Sequence, residues 1–144
     1  MVRRSGIVVR FAQEKDKRLS LGFLPTERVE AVVRMPRLSP VTGSRPPMLG
    51  VASVLGGILP VVTLGSDARH QTAAPGSREA PKLLLVCLLA GERLGIANVD
   101  VVSVGHFDAE EAGVRMGGEL VTEVDLASVA AELHARPWAG RVRA

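Results

Sequence analysis

LGVASVLGGILPVVTL, Leu49 to Leu64, holds no charged residue and is rich in Val, Ile and Leu around a Gly-Gly pair. That composition reads as strand, tight turn, strand, with Gly56 and Gly57 supplying the positive φ that a two-residue hairpin requires. A fainter copy, GVRMGGELVTEVDL, runs from Gly113 to Leu126. Two such hairpins in one chain point to a small all-β architecture whose strands recur.

The chain has 144 residues, 47 % of them hydrophobic and only 3 % aromatic, enough to bury an aliphatic core without disulfide or metal support. Its formal charge of +3 is mildly basic. The basic residues are scattered, apart from Arg3-Arg4, Lys15 to Arg18 and the tail pair Arg141 and Arg143. A nucleic-acid binder concentrates such charge on one face beside stacking aromatics, so a basic β-barrel binding nucleic acid is the alternative reading and not the first. The single cysteine, Cys87, lies in the apolar run Leu83 to Leu89 and reads as a small hydrophobe in a reducing compartment. The first residues lack the apolar stretch of a signal peptide, and no uncharged run is long enough to cross a bilayer. The expectation is a soluble cytoplasmic protein with no membrane insertion.

Strands are expected at Ile7–Phe11, Leu19–Phe23 and Val29–Met35, the last ended by Pro36 and Pro40. Lys15 to Lys17 read as a hairpin loop and Thr42 to Pro47 as a longer one. Subdomain 1 spans about 7–64, a connector 65–81, subdomain 2 about 82–133 and a tail 134–144. In the second half, strands are expected at Leu83–Leu89, Arg93–Ala97 and Val99–Val104, then a loop through His106 and Glu111. Val124 to Leu133 carries apolar residues at helical spacing, with Asp125 placed to cap it. Leu21-Gly22-Phe23 parallels Leu94-Gly95-Ile96, and Gly57–Leu64 parallels Glu119–Leu126. Leu21 to Gly56 is 35 positions and Leu94 to Gly118 is 24, a deficit of 11 in the second half. Short strands in two similar halves suggest a pair of small barrels, each closing its own edges.

Three ordered pieces, Leu24–Pro40, Leu49–Leu64 and Arg93–Val104 followed by GGELVTEVDLASV, resemble the CheW-like adaptor domain of bacterial chemosensory systems. The resemblance extends from Ile7 to about Leu133. It implies two intertwined, five-stranded SH3-like β-barrels, no catalytic activity and no cofactor or metal. It also implies a bridging role between methyl-accepting chemoreceptors and a CheA-type histidine kinase, with other CheW-like adaptors as further candidate partners. Divergent family members of similar length serve gliding motility.

Two departures stand out. The arginine that precedes the turn glycine in the family falls on Leu55, the polar residue after it on Gly57, and the acid of its V-x-E-V strand on Ala31. If that acid and arginine normally pair, their joint loss avoids stranding a half-buried charge. The deficit of 11 positions implies a second barrel short of a strand, hence open-edged, followed by a C-terminal helix. By carry-over, Val32, Leu55 and Gly56 are the candidate protein-binding residues, and the strand Val101–Val104, with Val101 and Val102, is the weaker candidate in the second half. The receptor is expected in a hydrophobic groove between the subdomains, and coupling to the kinase is expected to be weakened or lost.

The chain carries no nucleophile elbow and no phosphate-binding loop. His70, His106 and His134 have no Cys or His at metal-ligand spacing. Ser66, Asp67 and His70 sit together on a connector that lacks the rigid support of a triad. Trp138 is expected to cover the core.

Overall fold

The computed structural model describes residues 2–12, 19–41, 48–64 and 83–134. The expected Lys15–Lys17 loop, the 42–47 loop, the 65–81 connector and the tail with Trp138 lie outside these residues. Strands β1 (Arg3–Ala12), β2 (Leu19–Pro25) and β3 (Val29–Arg34) come first, with a single 3-10 turn, Thr26–Arg28, before β3. After them come β4 (Met48–Val54), β5 (Gly57–Val62), β6 (Leu83–Leu89), β7 (Glu92–Glu110), β8 (Gly113–Met116), β9 (Glu119–Thr122) and helix α1 (Leu126–His134).

Three hairpins share one turn geometry. Leu55-Gly56, Ala90-Gly91 and Gly117-Gly118 are two-residue loops with positive φ at both positions, 52° and 79°, 51° and 81°, 56° and 82°. These are the values of a type I′ turn, whose twist matches that of the flanking strands. The first turn therefore sits one residue earlier than its glycines suggest. Val54 pairs with Gly57, so Gly57 opens β5 and Leu55 takes the left-handed position.

Strand pairing builds two barrels, each drawing on both halves of the chain. In the first, β2 pairs with β1, β1 with the C-terminal part of β7, that part with β8, and β8 with β9. A parallel bridge between Phe23 and Glu123 closes the ring, with Val124 N–H donating to Phe23 O at 2.9 Å. In the second, β3 pairs with β6, β6 with the N-terminal part of β7, that part with β5 in parallel, and β5 with β4. Ser39 and Val51 close this ring by exchanging backbone hydrogen bonds of 2.8 and 2.9 Å. Glycine eases both seams. A Cβ on Gly50 would stand 2.5 Å from Ser39 O, and one on Gly22 would stand 2.7 Å from Val124 Cγ2.

Both barrels thus hold five strands, and the expected missing strand is present. The second half is shorter because β7 turns into β8 through Glu111 and Ala112 alone, whereas β3 reaches β4 through residues 35–47. The expected Arg93–Ala97 and Val99–Val104 strands, and the loop through His106, are one 19-residue strand. It changes barrel at a bulge. Leu85 pairs with Ile96 and Leu83 with Val99, leaving an extra residue on β7, and Asn98 adopts φ 58° there.

Three cores result. Leu59, Val61, Leu84, Val86 and Ala97 fill the second barrel, and Val8, Phe23, Phe107, Val114 and Val121 fill the first. A third, shared core lies between them, with Ile7, Val9, Leu24, Leu85, Ile96 and Val99 among its members, and α1 adds Leu126 and Leu133. β6 reads as an unbroken apolar run because both its faces are covered: Leu84 and Val86 face the barrel, Leu85 and Cys87 the shared core. The echo between Leu21-Gly22-Phe23 and Leu94-Gly95-Ile96 holds in sequence but not in facing. Phe23 lies inside its barrel, whereas Ile96 lies in the shared core. A slip of one residue exchanges the faces of a strand. α1 is capped as expected, Asp125 Oδ1 accepting from Ser128 N–H at 3.0 Å and Oδ2 from the Ser128 hydroxyl at 2.7 Å.

Candidate docking site

Directly paired residues of a ladder share a face, so register shows where each candidate points. Val32 pairs with Leu85 and Val101 with Val9, and both partners belong to the shared core. Val32 and Val101 therefore lie on the inter-barrel face, although their strands belong to different barrels. Val32 is 39 % exposed, while Val101 is half-buried against the shared core. Val102 is the extra residue of a bulge, since Val8 pairs with Ser103 and Val9 with Val101. The bulge shifts the alternation, so Val104, opposite Ile7, joins Val101 on the inter-barrel face. Val104 is 71 % exposed, a large apolar side chain at the margin of a core. It closes the weaker candidate strand Val101–Val104, and its sharing a face with Val101 is hidden in the sequence because a spacing of three does not signal one face of an unbulged strand.

Leu55, Gly56 and Gly57 occupy another place, the end of the second barrel. Leu55 is half exposed in its left-handed turn, and Ile58 beyond it is 78 % exposed. Ala31 faces inward against the second barrel's core, opposite Val86. A carboxylate at that position would enter apolar packing. The acid of this strand is instead Glu30, which a bulge between the Val29 and Ala31 pairings turns outward. Its two carboxylate oxygens accept from Arg93 Nε and Nη2, both at 2.7 Å. This fork-to-fork pair, first by its hydrogen bonds and then by its charge, raises the Arg93 pKa above the ordinary guanidinium value. The expected loss of an acid–arginine pair at Ala31 and Leu55 thus goes with a pair one residue earlier in β3.

A family model for the CheW-like domain matches residues 7–131. The chain belongs to the CheW-like family. Among solved structures, its fold is similar to the scaffolding protein TtCheW from Thermoanaerobacter tengcongensis, with a TM-score of 0.53 at 15 % identity. That similarity covers 85 % of this chain and 89 % of the other. A comparison with curated proteins finds no match.

In this CheW-like domain one side-chain contact links the first barrel to the turn before β3, and others brace the seam of the first barrel. Ser5 and Thr26 share a hydroxyl hydrogen bond of 2.7 Å, joining β1 to the turn that leads into β3. Arg4 donates to Glu123 at 2.6 Å, and its guanidinium stands 5.0 Å from the centroid of the Phe23 ring. A hollow of about 270 Å³ opens where the barrels meet α1, lined by Arg28, Leu89, Glu123, Asp125 and Leu126 among others. Its walls mix charge with aliphatic carbon, so it is less apolar than the expected hydrophobic groove. Both acids there are engaged, Glu123 by Arg4 and Asp125 by the helix cap. Among the described residues, no three His, Cys, Asp or Glu side chains gather as metal ligands. No helix among them is long and apolar enough to cross a membrane.

Proposed function

We propose that this CheW-like domain is a non-enzymatic adaptor of a bacterial chemosensory array, receiving a methyl-accepting receptor on the face between its barrels. The observation that supports this most is the exposure of Val32 and Val104 where the shared core reaches the surface. Apolar side chains left open beside a packed core are what a partner covers. Coupling to a CheA-type kinase is weakened, since Leu55 stands where the resembling motif carries arginine, in a turn otherwise intact. Other CheW-like adaptors are candidate neighbours in the array, and the compartment is the cytoplasm. The reading of a gliding-motility system has its support in chain length and divergence alone.

Binding of the full chain to the receptor's cytoplasmic domain and to the kinase's regulatory domain, measured side by side by calorimetry, tests the reading. Receptor binding that is lost in Val104→Asp, with kinase binding weak or absent, is the expected result. Tight kinase binding would overturn the claim of weakened coupling, and absent receptor binding would overturn the role itself.

A further inference from the structure

The first barrel closes on little. Among the described residues β2 and β9 meet at a single bridge, Phe23 with Glu123, where Val124 N–H donates to Phe23 O at 2.9 Å. The other seams of that ring are continuous ladders. Side chains brace the bridge. Arg4 donates to Glu123 at 2.6 Å with its guanidinium over the Phe23 ring, and Val124 lies over Gly22, where a Cβ would stand 2.7 Å from Val124 Cγ2. The bridge then leads straight into α1. Asp125 caps the helix, and Leu126 and Leu133 enter the shared core. At its first turn lies the hollow of about 270 Å³, with Leu126 and Ala127 on its lining beside Arg28 and Leu89. Packing is therefore incomplete where the helix begins, and the groups around the hollow forgo contacts they would otherwise make.

We infer that Glu123, Val124 and α1 form a clasp that opens as one unit while the remaining strands stay folded. Bridge and helix move together because only Asp125 separates Val124 from Leu126. Opening draws Leu126 and Leu133 out of the shared core and leaves β2 with β1 as its sole ladder partner among the described residues. Local opening of this kind starts where buried contacts are few, at a free energy below that of global unfolding. Arg4 sets the clasp. Both members of its ion pair with Glu123 are partly exposed, so salt screens the attraction and favours the open form. The first strand of the chain thereby controls how firmly its last helix is held.

Hydrogen exchange of the full chain, followed by mass spectrometry, tests the clasp. In the parent chain the amides of residues 123–134 should exchange well before those of β6. Arg4→Ala should speed exchange of residues 123–134 by roughly tenfold and leave β6 unchanged. Raised salt should speed the same amides relative to β6 in the parent chain but not in Arg4→Ala. Gly22→Ala, whose added methyl meets the side chains of Val124 and Phe11, should loosen the same segment without touching the ion pair. If residues 123–134 are as protected as β6, or if both variants raise exchange alike throughout the chain, no separate clasp exists and the inference is overturned.

Discussion

Glu30 and Arg93 join strands from opposite halves of the chain, β3 and β7, reaching across the end of β6 with two 2.7 Å hydrogen bonds. Both side chains are partly exposed, so the pair orders one end of the second barrel more than it stabilises the whole. In a double-mutant cycle, Arg93→Ala and Glu30→Ala should show a favourable coupling in thermal denaturation that shrinks as salt rises. Arg93→Lys should recover only part of it, because an ammonium cannot grip both oxygens. Equal recovery by lysine would mean that charge alone matters.

Leu55 holds a left-handed conformation that suits Asn or Gly, and it is half exposed. A non-glycine residue there costs about 1–2 kcal/mol. Leu55→Asn should therefore raise stability by about 1 kcal/mol in urea denaturation, with Leu55→Val lowering it. A site that keeps strain in exchange for a surface should also change its binding when relieved.

Leu85 and Val104 both face the space between the barrels, one buried and one open. Truncating Leu85 to Ala should cost about 3 kcal/mol. Truncating Val104 to Ala should stay within about 0.5 kcal/mol. Denaturant midpoints of the two variants separate the packed core from its margin.

Hydrogen bonds from Ser128 hold the Asp125 carboxyl below its usual pKa. The cap is therefore at full strength above the unfolded value, about 3.9, and weakens as pH falls through the lower folded one. The melting-temperature gap between the parent chain and Asp125→Ala should be wide at neutral pH and narrow near about pH 2. A gap independent of pH would assign the stabilisation to something other than the ionised cap.

Burial pushes the Cys87 thiol up to about 12. At about pH 8 it should stay unmodified by a thiol reagent in the folded chain and react only on unfolding. Labelling and mass spectrometry check this. Rapid labelling under native conditions would contradict the closed shared core.

The strands that alternate regularly, the β6 run and the hairpins were legible in the sequence, as was the resemblance that identified the family. What escaped depends on bulges. Glu30, Asn98 and Val102 each add a residue to one strand of a pair, and each reverses the facing of the residues beyond it. Their positions are set by which strand lies alongside, information that no local window contains. Hence Ala31, read as the place of a lost acid, packs inward, while Val104, at the end of the weaker candidate strand, is the residue of that strand that stands most open. The 11-position deficit failed for a similar reason: a length difference does not distinguish a lost strand from a shortened loop.

The passage of β7 through both barrels orders the chain's assembly in time. β1 and β2 pair with each other at once, but the second edge of β1 finds its partner only at residues 100–108, and β3 waits for residues 83–87. During synthesis, the first 64 residues leave the ribosome with neither ring able to close. Non-local pairing of this kind slows folding and leaves apolar strands unsatisfied meanwhile. An amino-terminal fragment ending before β6 is therefore a client for chaperones rather than a half-sized adaptor.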